Sequence, residues 1–379
     1  MPRPDWRRRT DVLPSLDLPG AIVVDGVLQH LGNPLGEQRA LDRGRAVALL
    51  GDRGVVAVTG PDRLSWLDSL TSQAVARLAP GESTELLVLD PHGHVEHAAS
   101  VLDDTETTWL IVDAADAEPL AAWLMRMRFR LRVEIGDASG DFVVVGGTDA
   151  AVRGVPAAEP AGHRLAWQDP WPRVQPGGHA YGPDEHHPGA DWDWTEVLVR
   201  PDDAARLVDD ARRGERMLAG SLAADALRIA AWRPRWRTEV DDRALPHEAD
   251  WLRTAVHLSK GCYRGQETVA KVHNLGHPPR RLVALHLDGS DSALPGTGSV
   301  VRMGEDAVGT ITSSALHHED GPIALALVRR NTPIDADLVV DTDDAAIAAS
   351  QIAIVPPEAG AVAGVPRITR LSRRKVVES

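Results

Sequence analysis

The stretch Lys260-Gly261-Cys262-Tyr263-Arg264-Gly265-Gln266-Glu267 contains the only cysteine of the 379-residue chain. We call residues 260–267 the signature segment. One of the chain's three lysines, Lys260, lies in it, and a second, Lys271, lies just beyond it. Because arginine supplies nearly all the other positive charge, two lysines around the sole thiol are a local feature that composition does not explain. We therefore expect a functional site here.

The neighbours of Cys262 are suited to a reactive thiol. A thiolate is stabilised by nearby positive charge and by the unpaired amides of a helix N-terminus. Lys260 and Arg264 provide the charge, and residues 266–272 are predicted to form a helix that begins just after the cysteine. The two flanking glycines remove side chains and allow a partner to approach closely. We predict Cys262 and Lys260 as the catalytic residues.

Other interpretations of Cys262 stay open at this stage. A free cysteine is often a small buried apolar residue. A nucleophilic thiol needs a base, for which His257 and His273 are the candidates in the neighbouring sequence. Metal binding would need ligands from elsewhere in the chain or from a second chain, and we predict no metal site.

Composition limits the classes of function. The net charge of −14 argues against general nucleic-acid binding through phosphate contacts, although a local basic pocket could hold a small anion. No apolar run approaches the roughly 18 residues that a membrane helix needs, and no signal peptide is indicated. A single cysteine excludes an intramolecular disulfide. We expect a cytoplasmic protein with no membrane or nucleic-acid partner.

Strands and helices alternate without a regular βαβ repeat up to about residue 276, which favours an α+β fold. Residues 85–89, 94–102 and 107–112 are predicted to form an antiparallel meander whose first turn is Asp90-Pro91-His92-Gly93. A helix is predicted over residues 222–232. From Arg281 onward the pattern changes to short strands separated by turns, which is typical of a small β-barrel.

Three further expectations concern the region before the barrel. Pro61 is predicted at the first position of a short helix. Residues 131–135 are predicted to form a strand. Residues 162–193, rich in Pro, Gly, His and Trp, are predicted to form an insertion or long loop, in which the pair His186-His187 is solvated rather than metal-binding.

The signature segment resembles the K-G-C-Y-x-G-Q-E signature of the YgfZ family of folate-binding proteins. These proteins are related to the glycine-cleavage T-protein, GcvT, a tetrahydrofolate-dependent aminomethyltransferase. The likeness extends to residues 58–63, the meander turn at residues 89–95, the approach to the signature at residues 226–249, and the first part of the barrel at residues 308–314. It covers about residues 35–355.

The resemblance implies a GcvT/YgfZ-like, three-lobed ring. Two interleaved α/β lobes would occupy residues 21–278, with the meander lobe at about 60–135, followed by a C-terminal β-barrel at 279–356. Residues 1–20 and 357–379 would be loosely ordered tails. The resemblance also implies tetrahydrofolate as the cofactor in a central pocket. The cofactor-binding residues predicted on this basis are Arg228, Trp232, Tyr263, Arg264, Gln266 and Glu267.

The implied function is that of an accessory protein for the assembly or maintenance of iron–sulfur enzymes, acting through Cys262. Its partners would be a folate-type small molecule and iron–sulfur enzymes or cluster-assembly proteins. Two alternative functions follow from comparing this sequence with the pattern of the family. Ala230 stands where relatives often carry a glutamate that holds the pterin, so the chain could be an interaction module that has lost folate binding. A tetrahydrofolate-dependent aminomethyl or one-carbon transferase is the other alternative, although Val95-Glu96-His97-Ala98 lacks the aspartate pair of the aminomethyltransferases.

Overall fold

Two five-stranded sheets and a closed six-stranded barrel form the framework of the molecule. The computed structural model describes residues 15–183, 187–289, 294–342 and 346–364. The strands are β1 (Ile22–Val24), β2 (Val27–His30), β3 (Ala46–Leu49), β4 (Arg53–Thr59), β5 (Ser83–Leu89), β6 (Val95–Asp103), β7 (Thr107–Asp113), β8 (Glu134–Asp137), β9 (Val143–Gly147), β10 (Ala166–Gln168), β11 (Thr195–Val199), β12 (Met217–Ala219), β13 (Arg280–Leu287), β14 (Val300–Met303), β15 (Asp306–His317), β16 (Gly321–Arg329), β17 (Leu338–Asp341) and β18 (Ala346–Ala353). The helices are α1 (Pro34–Asp42), α2 (Arg63–Leu70), α3 (Ala117–Met127), α4 (Asp149–Val152), α5 (Pro201–Arg212), α6 (Ser221–Ala230), α7 (Trp236–Glu239) and α8 (Gln266–Leu275).

The first two lobes are interleaved along the chain. The sheet of the first lobe has the order β10-β11-β9-β3-β12, and the sheet of the second has the order β5-β6-β7-β4-β8. The chain leaves the first sheet after β3, completes the whole second sheet, and returns to the first sheet at β9. This arrangement, followed by the barrel, confirms the predicted α+β fold.

The antiparallel meander β5-β6-β7 is the part of the second lobe that positions the site. The turn between β5 and β6 is held by Asp90, whose Oδ1 accepts hydrogen bonds from the backbone N–H groups of His92 and His94 at 2.7 and 2.8 Å. Gly93 has φ +83°, a left-handed conformation that glycine adopts without steric strain. The turn predicted from Asp90-Pro91-His92-Gly93 is therefore present.

Two local predictions in this lobe need correction. Helix α2 begins at Arg63, so Pro61 lies in the turn before it, where Gly60 has φ +122°. The strand expected at 131–135 is shifted to β8, because the backbone N–H of Arg132 donates to Asp62 Oδ2 at 2.9 Å and keeps the preceding residues in a turn.

The region predicted as a long loop is partly core. It contains β10, and Trp167 and Trp171 are fully buried. Their indole N–H groups donate to the backbone carbonyls of Thr84, at 2.6 Å, and Ala231, at 3.0 Å. A tryptophan is stable in a core when its N–H finds such an acceptor, which sequence periodicity does not show. Of the histidine pair, His187 is buried, whereas His186 lies outside the described residues.

The C-terminal barrel closes in the strand order β13-β16-β15-β14-β17-β18. Its interior is filled by alternating apolar residues such as Val283, Leu285 and Val328. Strand β15 also packs against α6, so the barrel contacts the first lobe at the helix that precedes the signature segment. Across the described ranges, every helix is too short or too polar to cross a bilayer.

Candidate functional site

The signature segment forms an exposed loop that leads into α8. Cys262 is exposed to solvent, so the interpretation of a buried small residue is wrong. Gly265 has φ +81° and lies against the meander turn, where an added Cβ would be 2.6 Å from the carbonyl oxygen of Asp90. Only glycine fits this conformation and this close approach. The helix predicted at residues 266–272 is α8, and the thiol precedes its first turn as expected.

Lys260 connects this loop to the end of α2. Its side chain is only 3% exposed. Its ammonium donates to the backbone carbonyl oxygens of Asp68, Thr71, at 2.9 Å, and Gln73, at 2.7 Å. Burial lowers the pKa of Lys260, while the charge of Asp68 opposes that shift. Because an ammonium group has three N–H donors, this geometry assigns Lys260 to positioning the loop; its predicted catalytic role stays a prediction.

Tyr263 and Arg264 fix the other side of the thiol. Tyr263 is buried in the core between the lobes and the barrel, and burial raises the pKa of its hydroxyl. The Lys260 ammonium lies 5.5 Å from the centre of its ring, within range of a cation–π contact. Arg264 forms an ion pair with Glu96 of β6 at 2.6 Å. Cys262 is thus exposed between residues that are anchored on both sides.

The other predicted neighbours of the thiol are Gln266, Glu267 and two histidines. Gln266 donates to the Lys260 carbonyl at 3.4 Å, and Glu267 is exposed in the first turn of α8. His273 is hydrogen-bonded to the hydroxyl of Tyr181 at 2.8 Å. Nδ1 of His257 accepts from the backbone N–H of its own loop. Within the described part of the chain, neither histidine forms a hydrogen bond with Cys262.

A second feature is a crevice between the two α/β sheets, beside α6. It contains a cavity of about 70 Å³. Four tryptophans line it: Trp192, Trp194, Trp236 and Trp251. Trp192 and Trp194 are stacked, with ring centres 5.2 Å apart and an interplanar angle of 15°. The crevice is therefore lined by aromatic side chains and, as described next, by charged ones.

The charged residues that line the crevice form buried ion pairs with one another. Arg233 pairs with Glu85 at 2.7 Å and with Asp169 at 2.9 Å. Arg235 pairs with Asp113, and burial, which alone would raise the pKa of Asp113, is outweighed by the charges of Arg235 and a neighbouring arginine, so that pKa is lowered. Charges this deeply buried are stable only when paired. Sequence reasoning missed Arg233 and Arg235, although arginines set between Pro and Trp directly after a helix are a usable signal.

Two carboxylates of the crevice each have one oxygen without a hydrogen-bond partner among the residues that the structure describes. Oδ2 of Asp52 pairs with Arg235 at 2.7 Å, and Oε1 of Glu196 accepts from Nη2 of Arg53 at 2.8 Å. In the described ranges, Oδ1 of Asp52 and Oε2 of Glu196 are buried without a hydrogen-bond partner. Asp52 is 7% exposed and Glu196 is 0% exposed. These two oxygens are therefore buried acceptors whose hydrogen-bonding capacity is unsatisfied within the described part of the chain.

The predicted cofactor residues divide between the two features. Arg228 of α6 lines the crevice and donates to Ser313 of the barrel at 2.9 Å. Trp232 has φ +57° and its ring packs against His187 at 5.1 Å. It therefore lies outside the crevice walls, in the same apolar core as Tyr263 of the signature segment. Ala230, at the end of α6, supplies no side-chain acceptor.

The stretch that lacks the aspartate pair lies on two faces of β6. Ala98 lines the crevice, whereas His97 lines a separate open groove on the other face. His97 Nδ1 is 2.6 Å from Oδ1 of the buried Asp116. Burial raises the pKa of Asp116 to about 6, and the bond to His97 acts in the opposite direction. No carboxylate of β6 therefore faces the crevice from this stretch.

Comparison with known proteins identifies two groups of relatives. No protein-family model matches the chain. An aminomethyltransferase of Rippkaea orientalis is 29% identical over 313 residues, covering 75% of this chain and 80% of the relative. The tRNA-modifying protein YgfZ of Klebsiella pneumoniae is 31% identical over 150 residues, covering 38% of this chain and 44% of that protein.

The fold is also shared with a solved structure. Aminomethyltransferase T of the glycine cleavage system from Bartonella henselae matches with a TM-score of 0.67 and 17% identity, covering 92% of this chain and 95% of that one. At this identity the match shows the fold alone. The predicted resemblance is confirmed: the chain is a relative of both the aminomethyltransferases and the YgfZ proteins, and it has the aminomethyltransferase fold.

Proposed function

We propose that this protein binds a reduced folate in the crevice beside α6 and supports iron–sulfur enzymes through Cys262. The observation that carries the proposal is the exposed thiol of Cys262 on a loop that Lys260 and Tyr263 anchor on either side. A thiol presented in this way reacts with, or ligates a group on, a macromolecular partner rather than a substrate enclosed by the protein. Among the described residues, neither His257 nor His273 is hydrogen-bonded to the thiol, which fits exchange or ligation better than hydrolytic chemistry.

The crevice has the chemistry that a folate head group requires. Its tryptophans provide flat apolar faces, and Asp52 and Glu196 provide acceptors for the ring N–H groups. When bound, a reduced folate supplies a carrier for one-carbon units. The residues of this chain would orient the ring and exclude water from it. Arg228, the one predicted cofactor residue in the crevice wall, would contribute to holding it.

Complementation tests the role of the thiol. In cells that lack the protein, Cys262→Ala is expected to abolish rescue of iron–sulfur enzyme activity, and Cys262→Ser is expected to rescue poorly because a hydroxyl does not form a thiolate equivalent at neutral pH. Ser259→Ala, at another exposed position just before the signature segment, should rescue fully. Since the YgfZ relatives are described as tRNA-modifying, tRNA modification is measured in the same cells as the second readout. Full rescue of both readouts by Cys262→Ala would refute the role of Cys262.

A second candidate is a tetrahydrofolate-dependent aminomethyl or one-carbon transferase. It is favoured by coverage, because the aminomethyltransferase match spans most of both chains whereas the YgfZ match spans less than half of each. It is disfavoured by Ala98, which gives the crevice no carboxylate where β6 lines it. Purified protein is incubated with tetrahydrofolate and an aminomethylated carrier protein. Formation of methylenetetrahydrofolate above the protein-free rate would favour the transferase.

A further inference from the structure

Every residue from 125 to 132, at the end of α3 and in the turn that follows it, is exposed to solvent. We call these residues the arginine segment. Its apolar members, which alternate with arginines, are Met125, Met127, Phe129 and Leu131. Because an alternation of period two does not follow one face of an α-helix, the helix cannot turn this apolar set into the core. Exposed apolar residues that are contiguous in this way mark interaction sites.

Phe129 is the most exposed apolar residue of the arginine segment. It is 84% exposed, and its φ of +46° lies in the left-handed region. Residues with a Cβ rarely adopt this conformation, which glycine adopts readily. The guanidinium of Arg130 lies 5.4 Å from the centre of its ring. Neither backbone geometry nor core packing therefore accounts for a phenylalanine at this position.

Most arginines of the segment lack a carboxylate partner. Arg132 pairs with Asp62 at 2.7 Å. Within the described part of the chain, Arg126, Arg128 and Arg130 form no ion pair: Arg128 donates to a backbone carbonyl at 3.4 Å, and Arg130 contacts a phenyl ring. The negative end of the helix dipole favours cations at Arg126 and Arg128, but it does not account for Arg130 or for the apolar residues. The segment is therefore positively charged and apolar on a chain whose net charge is −14.

The composition of the segment is that of a protein–protein interface, in which aromatic residues, Met and Arg are enriched and Lys is depleted. A guanidinium binds a carboxylate through two parallel hydrogen bonds. A nucleic acid or an anionic bilayer is an extended polyanion that would also face the rest of this acidic chain, whereas a short acidic protein segment meets the arginine segment alone. The chain's own ends, residues 1–14 and 365–379, carry more arginine and lysine than acidic residues, so like charge disfavours them.

We propose that the arginine segment is a docking surface for an acidic, partly apolar segment of a partner protein. The carboxylates of the partner pair with Arg126 and Arg130, and its apolar side chains pack on Met127 and Phe129. This inference goes beyond the proposed function and does not depend on it, because neither the crevice nor Cys262 takes part in the docking.

The position of the arginine segment connects it to the thiol. Arg126 also lines the open groove on the other face of β6, which has a volume of about 710 Å³. The wall of that groove includes Glu96, whose carboxylate pairs with Arg264, two residues after Cys262. A partner docked on the arginine segment therefore lies at a groove that extends to the ion pair beside the signature loop.

Fluorescence anisotropy of a labelled synthetic peptide, titrated with the full chain, tests the docking. The probe is a short peptide in which glutamates alternate with leucine and phenylalanine, and the comparison peptide has glutamine in place of every glutamate. The acidic peptide is expected to bind saturably, and more weakly as salt is added, because exposed charges are screened. The glutamine peptide should bind about tenfold more weakly or less well still.

Two variants locate the binding on the arginine segment. Phe129→Gly removes the ring but suits the left-handed backbone, so peptide binding should weaken about fivefold or more while the midpoint of thermal unfolding does not fall. Arg126→Gln combined with Arg130→Gln should weaken binding about tenfold. The matched control, Arg153→Gln combined with Arg206→Gln, removes the same charge from two other exposed arginines and should bind as the unsubstituted chain does.

The outcomes either support the docking surface or overturn it. Weaker binding by both variants, with the control unchanged, supports it. No saturable binding of the acidic peptide, equal binding of the glutamine peptide, or full binding by both variants overturns it. Phosphatidylglycerol vesicles, poly(U) RNA and light scattering of the chain alone test the other occupants. If the variants lose binding to vesicles or RNA but not to the peptide, or if Phe129→Gly dissociates a dimer, the surface takes a membrane, RNA or a second copy and the proposal fails.

Discussion

Replacing Lys260 by Met tests whether this lysine positions the signature segment. The substitution keeps an unbranched side chain but removes the ammonium group and its three hydrogen bonds to the carbonyl oxygens of Asp68, Thr71 and Gln73. It also removes the cation that lies 5.5 Å from the ring of Tyr263. The loop would then lose these hydrogen bonds to the end of α2 and the residues that follow it.

The expected change in the free energy of unfolding follows from the lost hydrogen bonds and from the burial of the ammonium group. A hydrogen bond to a charged group contributes about 1.5–3 kcal/mol to stability. Part of the sum is offset because the ammonium is buried, as its lowered pKa indicates. Setting three bonds against this desolvation, we expect Lys260→Met to lower the free energy of unfolding by about 3 kcal/mol.

Urea unfolding followed by tryptophan fluorescence measures the decrease in the free energy of unfolding. The rate of cleavage by chymotrypsin shows whether the signature segment is the part that becomes less stable. Tyr263 is buried in the native chain, so cleavage after it should become faster in Lys260→Met than in the unsubstituted chain. Lys271→Met, at an exposed position on α8, is the matched control and should change the free energy of unfolding by less than about 0.5 kcal/mol. If Lys260→Met unfolds as the control does, the ammonium does not anchor the loop and the argument fails.

Three further predictions concern the same region. Gly265→Ala should lower the free energy of unfolding by about 2 kcal/mol or more, because Gly265 has a left-handed φ and lies close to a carbonyl of the meander turn. Thermal unfolding of the control, Gly261→Ala, should be nearly unchanged, because an added Cβ there meets nothing within 4 Å. His247 is buried, and burial lowers its pKa from 6.5 to about 4; between these values the unfolded chain binds the proton and the folded chain does not, so stability should fall by about 3 kcal/mol as the pH decreases from about 6.5 to 4. Urea unfolding of His247→Gln across this range should show a flatter slope. Arg264→Met should cost less than about 1 kcal/mol in urea unfolding at physiological salt, because its ion pair with Glu96 is one-third exposed.

The sequence predicted those parts of the molecule that local chemistry determines. The turn at Asp90 and Gly93 was predictable because a single carboxylate caps two backbone N–H groups and a glycine adopts the left-handed conformation. The start of α8 after Cys262 was predictable for a similar reason, since glycine at Gly265 precedes a run with helical spacing. In both places the deciding contacts lie within a few residues along the chain.

The charged wall of the crevice could not be predicted in this way. Arg233 and Glu85 are 148 residues apart, and no local pattern indicates that they meet. The contacts of Lys260 could not be predicted from local sequence either. It is next but one to Cys262 in sequence, yet its ammonium is bound to carbonyls that lie about 190 residues earlier in the chain. Proximity in sequence therefore predicted where the site lies but not which atoms the side chain of Lys260 contacts.

The crevice and the signature segment are separate features that Trp236 and Glu96 connect. Trp236 lines both the crevice and the groove on the other face of β6, and its indole N–H donates to the backbone carbonyl of Glu96 at 3.0 Å. The side chain of Glu96 in turn holds Arg264, two residues after the thiol. Lys260 is part of the signature segment and Glu196 lines the crevice, and neither is one of these connecting residues. We therefore expect a substitution at Lys260 to perturb the thiol without altering the crevice. A substitution at Glu196 should alter the crevice without perturbing the thiol. If Lys260→Met impaired ligand binding as strongly as Glu196→Gln, the crevice and the thiol would have to be one cooperative unit, joined through Trp236 and Glu96.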